Sequence, residues 1–137
     1  MQKNQYEYQH RLELSLIPKD YNIDMALYNK DIINYGAFRY NIERLDQFID
    51  NVNNKIRDIV RITDFGIDSS SYKILQYNGN EIILTIKYYT DKEPNYLTYY
   101  GHKIIKRIGK IRNRTILYYY LITYDNFEIP IINVQLD

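Results

Sequence analysis

Between Asp31 and Thr63 the chain reads DIINYGAFRYNIERLDQFIDNVNNKIRDIVRIT, in which Ile42, Leu45, Ile49, Val52 and Ile56 recur at helical spacing. The segment therefore predicts an amphipathic helix with one apolar face over roughly four turns. Asn41 is of the residue type that caps helix N-termini, because its short polar side chain can accept an orphan backbone N–H. The opposite face carries Glu43, Arg44, Asp46, Gln47 and Asp50. After the helix, Asp58 to Ile67 alternates as a strand, with Ile59, Arg61 and Thr63 on one side and Val60, Ile62 and Asp64 on the other. The alternation does not say which side is buried.

Upstream, residues 1–11 are polar and read as lightly ordered, and Leu12 to Ile17 (LELSLI) alternates before stopping at Pro18, as a short strand would. Lys19 to Tyr40 shows no clear period. From Asp68 onward the pattern is β throughout. A turn at Asp68 to Ser71 leads to a strand over Tyr72 to Tyr77, and Asn78-Gly79 predicts a two-residue type I′ hairpin with positive φ at both positions. Glu81 to Thr90 returns, a polar break at Asp91 to Asn95 contains Pro94, and Tyr96 to Tyr100 runs up to Gly101. In His102 to Arg114 the isoleucines 104, 105, 108 and 111 suit a helix face or a twisted edge strand, with strand preferred. Thr115 to Tyr124 and Phe127 to Val134 complete the series, Pro130 marking an edge. The expected architecture is α+β: one main amphipathic helix packed on an antiparallel β-sheet of four to six strands. Residues 31–137 form this single domain, and residues 1–30 form an N-terminal arm with a short strand.

Composition narrows the chemistry. At 137 residues there is room for one core. With 18 Lys and Arg against 17 Asp and Glu, whole-molecule attraction to nucleic acid or an anionic membrane is not expected. The absence of Cys removes disulfides, thiolate nucleophiles and Cys-based zinc sites. No apolar run approaches the ~20 residues of a transmembrane segment, and no signal-like segment opens the chain. A leader removed ahead of Met1 would mean an envelope or extracellular protein; otherwise the chain is cytoplasmic. The excess of Ile, Asn, Lys and Tyr is the mark of an AT-rich genome.

None of the residues that usually do chemistry stands in a working constellation. His10 and His102 lie far apart, beside no carboxylate at metal-ligand spacing, and read as solvated side chains. Asp64-Phe65-Gly66 spells the kinase magnesium triplet without any other kinase element. Ser69 to Ser71 has no elbow motif or nearby histidine and reads as a turn. Glu43, Asp46 and Asp50, at i, i+3 and i+7, could reach a calcium ion but read as a polar helix face. No metal, no cofactor and no enzymatic activity are expected.

Two features point instead to binding. HKIIKRIGKIRNR at 102–114 holds six basic residues, Lys103, Lys106, Arg107, Lys110, Arg112 and Arg114, and no acid. It is either a docking patch for an anionic partner or an edge strand guarded against sheet-to-sheet pairing. Tyrosines 88, 89, 96, 99, 100, 118, 119, 120 and 124 form an array in the same half of the chain. Tyrosine offers wide contact area at low rotamer cost, and Tyr99, Tyr100, Tyr118 and Tyr120 are the residues expected to join the basic run in a partner-binding surface. Cross-strand pairing within a sheet is the plainer account of the array.

At Gly36 to Ile62 the run GAFRYNIERLDQFIDNV, then Lys55, then DIVRIT, resembles the N-terminal signature of a small Gram-positive bacterial family, domain of unknown function 4362. YNGNEI at 77–82 resembles that family's strand and hairpin, so the resemblance spans roughly residues 31–125. Asp68-Ser69-Ser70-Ser71 stands where the family has a Gly-Asp-Pro turn, and the family's cysteine pair is missing. The resemblance implies a helix on an antiparallel sheet and a secreted or lipid-anchored, lipoprotein-like location, and it implies no activity. Together the expectation is a non-enzymatic binding or accessory protein of the bacterial cell envelope, presenting a tyrosine-rich basic sheet surface to a protein partner. The alternative is a cytoplasmic nucleic-acid-associated protein using the same surface; homo-oligomerisation is compatible with either.

Overall fold

The computed structural model describes residues 2–66 and 69–136. Two helices open the chain, α1 (Gln2–Ser15) and α2 (Ile23–Tyr28), followed by a hairpin of β1 (Ile32–Tyr35) and β2 (Phe38–Tyr40) and the helix α3 (Ile42–Asn53). Six strands follow: β3 (Asp58–Phe65), β4 (Ser70–Tyr77), β5 (Ile82–Thr90), β6 (Glu93–Ile111), β7 (Arg114–Thr123) and β8 (Glu128–Gln135). They form one eight-stranded sheet in the order β2-β1-β3-β4-β5-β6-β7-β8. Every pairing is antiparallel except β1 with β3, which the crossover through β2 and α3 makes parallel.

This corrects the expected architecture. Strand accounts for 53% of the chain and helix for 22%, and the sheet is a curled half-barrel of eight strands rather than four to six strands under one main helix. Helices cover both of its faces. On the inner face α3 buries Leu45 and Phe48 against Ile32, Val60, Ile62, Leu75, Leu84, Tyr119, Leu121 and Val134, so strands from both ends of the sheet reach the same helix. On the outer face α1, α2 and the segment between them bury Leu14, Ile17, Tyr21 and Ala26 against Ile33, Tyr72 and Ile74. Both sides of β3 are therefore covered.

The curl is sealed by side chains rather than a ladder. Lys73, inward-facing on β4, donates from Nζ to the carbonyl of Ile131 at 2.5 Å. Ile131 is the extra residue of the β8 bulge, where Tyr119 pairs with Ile132 and Tyr120 with Pro130. Arg39 on β2 donates to the carbonyl of Gln135 at 2.6 Å.

Several expected elements change. Leu12 to Ile17 is not a strand, and residues 2–11, expected to be lightly ordered, lie in the helix α1. His10, Leu14 and Ile17 are buried at helical spacing while Leu12 and Leu16 face water, so the apparent alternation conceals a helical stripe. The turn expected from Asp68, like the end of the strand at Ile67, falls outside the described residues, and Ser70 and Ser71 already belong to β4. Asn78-Gly79 is not a two-residue turn. Tyr77 pairs with Ile82 across a four-residue loop in which Gly79 alone has positive φ (94°) and the Asn78 side chain accepts from the N–H groups of Asn80 and Glu81. Two-residue turns with positive φ at both positions occur at Asp91-Lys92 and Arg112-Asn113. Asn41 precedes α3 in the left-handed region and makes no side-chain cap; its amide donates to the carbonyl of Asp31 instead. Residues 102–111 are strand. No helix among the described residues is long and apolar enough to cross a membrane.

Candidate functional site

Strand alternation divides β6, β7 and β8 between the two faces. Because Tyr119 and Leu121 point inward to the core with α3, Tyr118 and Tyr120 point outward, and the register carries Lys103, Ile105 and Arg107 outward beside them. Here α1 and α2 no longer cover the sheet. Tyr118 and Tyr120, two residues apart on β7, stack with centroids 6.0 Å apart and planes 11° apart. The guanidinium of Arg107 lies 5.3 Å from the Tyr120 ring centre and is held there by two 2.8 Å bonds to the Glu128 carboxylate. Gly109 on β6 leaves room for the Tyr118 ring, since a Cβ there would meet Tyr118 Cε2 at 3.1 Å. Ile116, Ile111, Arg114 and Pro130 extend the same face. It is an aromatic and aliphatic surface with a basic rim, built on paired strands.

The ten residues expected to form a partner surface do not all meet there. Lys103, Arg107, Arg114, Tyr100, Tyr118 and Tyr120 share the outer face by register. Lys106, Lys110 and Tyr99 face inward, and Arg112 lies in the β6–β7 turn. Lys106 is tied to α3, its Nζ 3.0 Å from Asp46 Oδ1 and 5.5 Å from the Tyr119 ring centre. Tyr100 donates its hydroxyl to Glu7 on α1 at 2.5 Å, and burial with that carboxylate raises its pKa. Arg107 holds Glu128 below the usual carboxylate range. Among the described residues two of the six bases are ion-paired, and the run is split between faces rather than gathered into one patch.

Sequence reasoning missed two buried polar clusters. Asp31 accepts from Tyr21 Oη at 2.6 Å, Thr63 Oγ1 at 2.9 Å and Arg61 Nε at 3.0 Å. Tyr21 Oη in turn accepts from Arg61 and Asn29, so the cluster joins α2, β1 and β3. His10, expected in solvent, is 3% exposed under α1, with Nδ1 2.9 Å from Thr85 Oγ1 and Nε2 2.6 Å from Gln76 Oε1. A neutral ring satisfies both by donating to Gln76 and accepting from Thr85, and burial lowers the His10 pKa. The period of α1 places His10 on the buried stripe with Leu14, which was the available signal. His102 is exposed and stacks on Tyr124 at 5.7 Å.

These clusters fasten elements together; Tyr21 and Asn29 of the first also line a shallow cavity of about 380 Å³ with Pro18, Asp24, Met25 and Tyr28, which holds no acid–base or nucleophilic pair. Asp46 is also structural, accepting from Tyr119 Oη at 2.9 Å. Asp58 accepts from Arg44 and Asn51; burial opposes its ionisation, but those bonds prevail and lower its pKa. Among the described residues no three His, Cys, Asp or Glu side chains stand close enough to hold a metal. No family model, no curated protein and no solved structure matches this chain.

Proposed function

We propose that the chain is a non-enzymatic binding module that docks a protein partner on the outer face of β6, β7 and β8. The observation that carries this reading is the Tyr118–Tyr120 stack with Arg107 over it, on the part of the outer face that no helix covers. Stacked tyrosines on paired strands lose little freedom on binding and bring a large area, as interface hot spots do. The rim of Lys103 and Arg114 favours a partner surface carrying a few carboxylates. Through its resemblance to a family of secreted and lipid-anchored proteins, the proposal includes a bacterial envelope location.

The nucleic-acid alternative has the same stacked rings in its favour. It has less charge to work with, since Arg107 is neutralised by Glu128 and Lys106 turns inward to Asp46. Parallel affinity capture with wild type and with Tyr118→Ser/Tyr120→Ser tests the reading. A protein retained only by wild type should, once purified, bind the double variant at least tenfold more weakly in titration calorimetry. Equal binding to both would overturn the proposal. Wild-type affinity for single-stranded DNA that falls steeply with salt and vanishes in the double variant would install the alternative.

A further inference from the structure

β6 is paired on one side only along each half of its length. Residues 93–101 pair with β5, and residues 101–111 pair with β7 on the other side, with an irregularity between Gly101 and Lys103 where the strand changes partner. The first half is thus open toward the lane of β7, and the second toward the lane of β5. Sequence treats the two open edges oppositely. Lys103, Lys106, Arg107 and Lys110 line the second, the usual guard against strand pairing. The first, EPNYLTYY from Glu93 to Tyr100, has neither Lys nor Arg.

Backbone polarity follows from the turn. In the Asp91-Lys92 turn the Glu93 N–H faces the Thr90 carbonyl, and antiparallel alternation then aims the backbone groups of Pro94, Tyr96 and Thr98 away from β5. Pro94 has no N–H to leave unmade there. The outward N–H and C=O of Tyr96 and Thr98 meet no partner among the described residues.

Alongside this edge, one layer above the sheet, runs α1. Glu7 meets Tyr100 and Arg11 lies 4.9 Å over the Tyr96 ring, so the helix runs antiparallel to β6. Tyr8, Leu12 and Leu16, at i, i+4 and i+8, form an outward stripe that is 68%, 49% and 73% exposed. A groove of about 520 Å³, lined by Glu7, Tyr8, Arg11, Leu12, Ser15 and Tyr96, separates the helix from the strand edge.

We propose that this edge and this stripe together form a two-fold interface with a second copy of the chain. The two β6 edges pair antiparallel over about five residues, Pro94 to Thr98, joining the two sheets into one, and the two α1 stripes close over the joint. A single added strand would cover the edge but leave Leu12 and Leu16 in water. A second copy brings its own helix in the same layer and covers both. Charge permits the self-match, because residues 93–101 carry one acid and no base to repel a like edge. The Thr123 to Phe127 turn that ends β7 stops the incoming strand and keeps the pairing short. Tyr8, Leu12 and Leu16 on the outer side of the joint and the 42% exposed Leu97 on its inner side offer on the order of 400 Å² per copy, about half of the ~800 Å² per partner of a stable interface, with the strand edge and Tyr96 supplying much of the rest. The dimer is accordingly of micromolar rather than nanomolar strength.

Sedimentation velocity on the full chain from about 5 to 500 µM tests this directly. Wild type should shift reversibly from monomer to dimer. Leu12→Glu/Leu97→Lys, two changes at exposed side chains, should weaken the association at least tenfold with an unchanged circular dichroism spectrum, and Tyr118→Ser/Tyr120→Ser should leave it intact. Because the chain has no cysteine, oxidation of the double variant Asn95→Cys/Leu97→Cys adds a second measurement: pairing about Tyr96 sets position 95 of one copy opposite position 97 of the other, so it should cross-link as a dimer well ahead of Ile108→Cys on the guarded half. A wild type that stays monomeric throughout, a dimer indifferent to the Leu12/Leu97 pair, or cross-linking no faster on the unguarded half would each overturn the proposal.

Discussion

Replacing Asp31 with Ala removes one carboxylate on which three elements converge. The side chain is 1% exposed and takes bonds from Tyr21, Thr63 and Arg61. Deleting one partner of a buried ion pair costs ~3–5 kcal/mol, because the survivor keeps its desolvation penalty without its counter-charge. Here the lower end applies, since the Arg61 side chain retains 20% exposure and has Glu13 at 3.9 Å as a distant substitute. Thr63, with no exposure at all, loses an acceptor it cannot replace with water, which adds ~1 kcal/mol. The expected loss is about 3–4 kcal/mol, a large part of the ~5–15 kcal/mol that holds such a domain together. Asp31→Asn keeps an acceptor for Tyr21 but turns an amide N–H toward another donor, and should cost about 2 kcal/mol. Urea denaturation followed by circular dichroism measures both, with the m-value held as a check on two-state behaviour. Asp31→Ala/Arg61→Met should be more stable than the sum of the two single losses predicts, because the orphaned cation is gone. An Asp31→Ala midpoint within about 1 kcal/mol of wild type, or strict additivity with Arg61→Met, would show that the cluster is not a coupled unit.

Two further outcomes follow from buried titratable groups. Burial holds the folded His10 pKa below the ordinary 6.5 of histidine, so the stability due to the neutral ring is complete above about pH 6.5 and is lost as pH falls through the folded value; melting temperature should drop over that window in wild type and stay flatter in His10→Gln, and equal slopes would contradict the assignment. Asp46→Ala should cost ~1–2 kcal/mol by stranding Tyr119 Oη, while Asp50→Ala on the exposed face stays within about 0.5 kcal/mol. Burial, with Asp46 beside it, raises the Tyr119 pKa well above 10, so this contribution persists below pH 10 and is lost as pH rises through the folded value; ultraviolet titration should find one phenol ionising earlier in Asp46→Ala than in wild type.

How far the sequence reveals this fold depends on how many partners each segment has. The α3 stripe is legible because one helix face meets one core, although Phe48, fully buried, lay beside rather than on the expected line of Leu45, Ile49 and Val52, and Ile56 falls beyond the helix and is 52% exposed. Strand β7 is legible for the same reason, whereas β4 and β5, buried on both faces, are legible as apolar runs between turn signals. The N-terminal region is not. Helix α1 is polar on average and carries His10 in the middle of its buried stripe, so a search for apolar period passes over it. β1 and β2 are four and three residues long, too short for a period, and only Gly36, at φ 58°, marked the hairpin between them. The turn at Asn78-Gly79 failed because the Asn78 side chain recruits two backbone N–H groups and widens the loop, a local bond that residue preference does not register.

The placement of the residues in the proposed partner surface was only partly legible, and β6 explains why. A strand of 19 residues that changes neighbours at Gly101 reads in sequence as two strands with a break, and the basic run then looks like an isolated patch. In the folded chain that run belongs to an edge, so its alternation sends Lys103 and Arg107 to the outer face and Lys106 and Lys110 to the inner one. Gly101 is what allows the change: a Cβ there would lie 2.4 Å from the Ile122 carbonyl oxygen and 2.8 Å from Leu121 Cδ1. The same transfer leaves one half of β6 open and guarded and the other open and bare. Edge protection by charge is therefore strong beside the tyrosine face proposed to meet a partner and absent where α1 presents its apolar stripe, and the two proposed interfaces lie on opposite sides of one strand's midpoint.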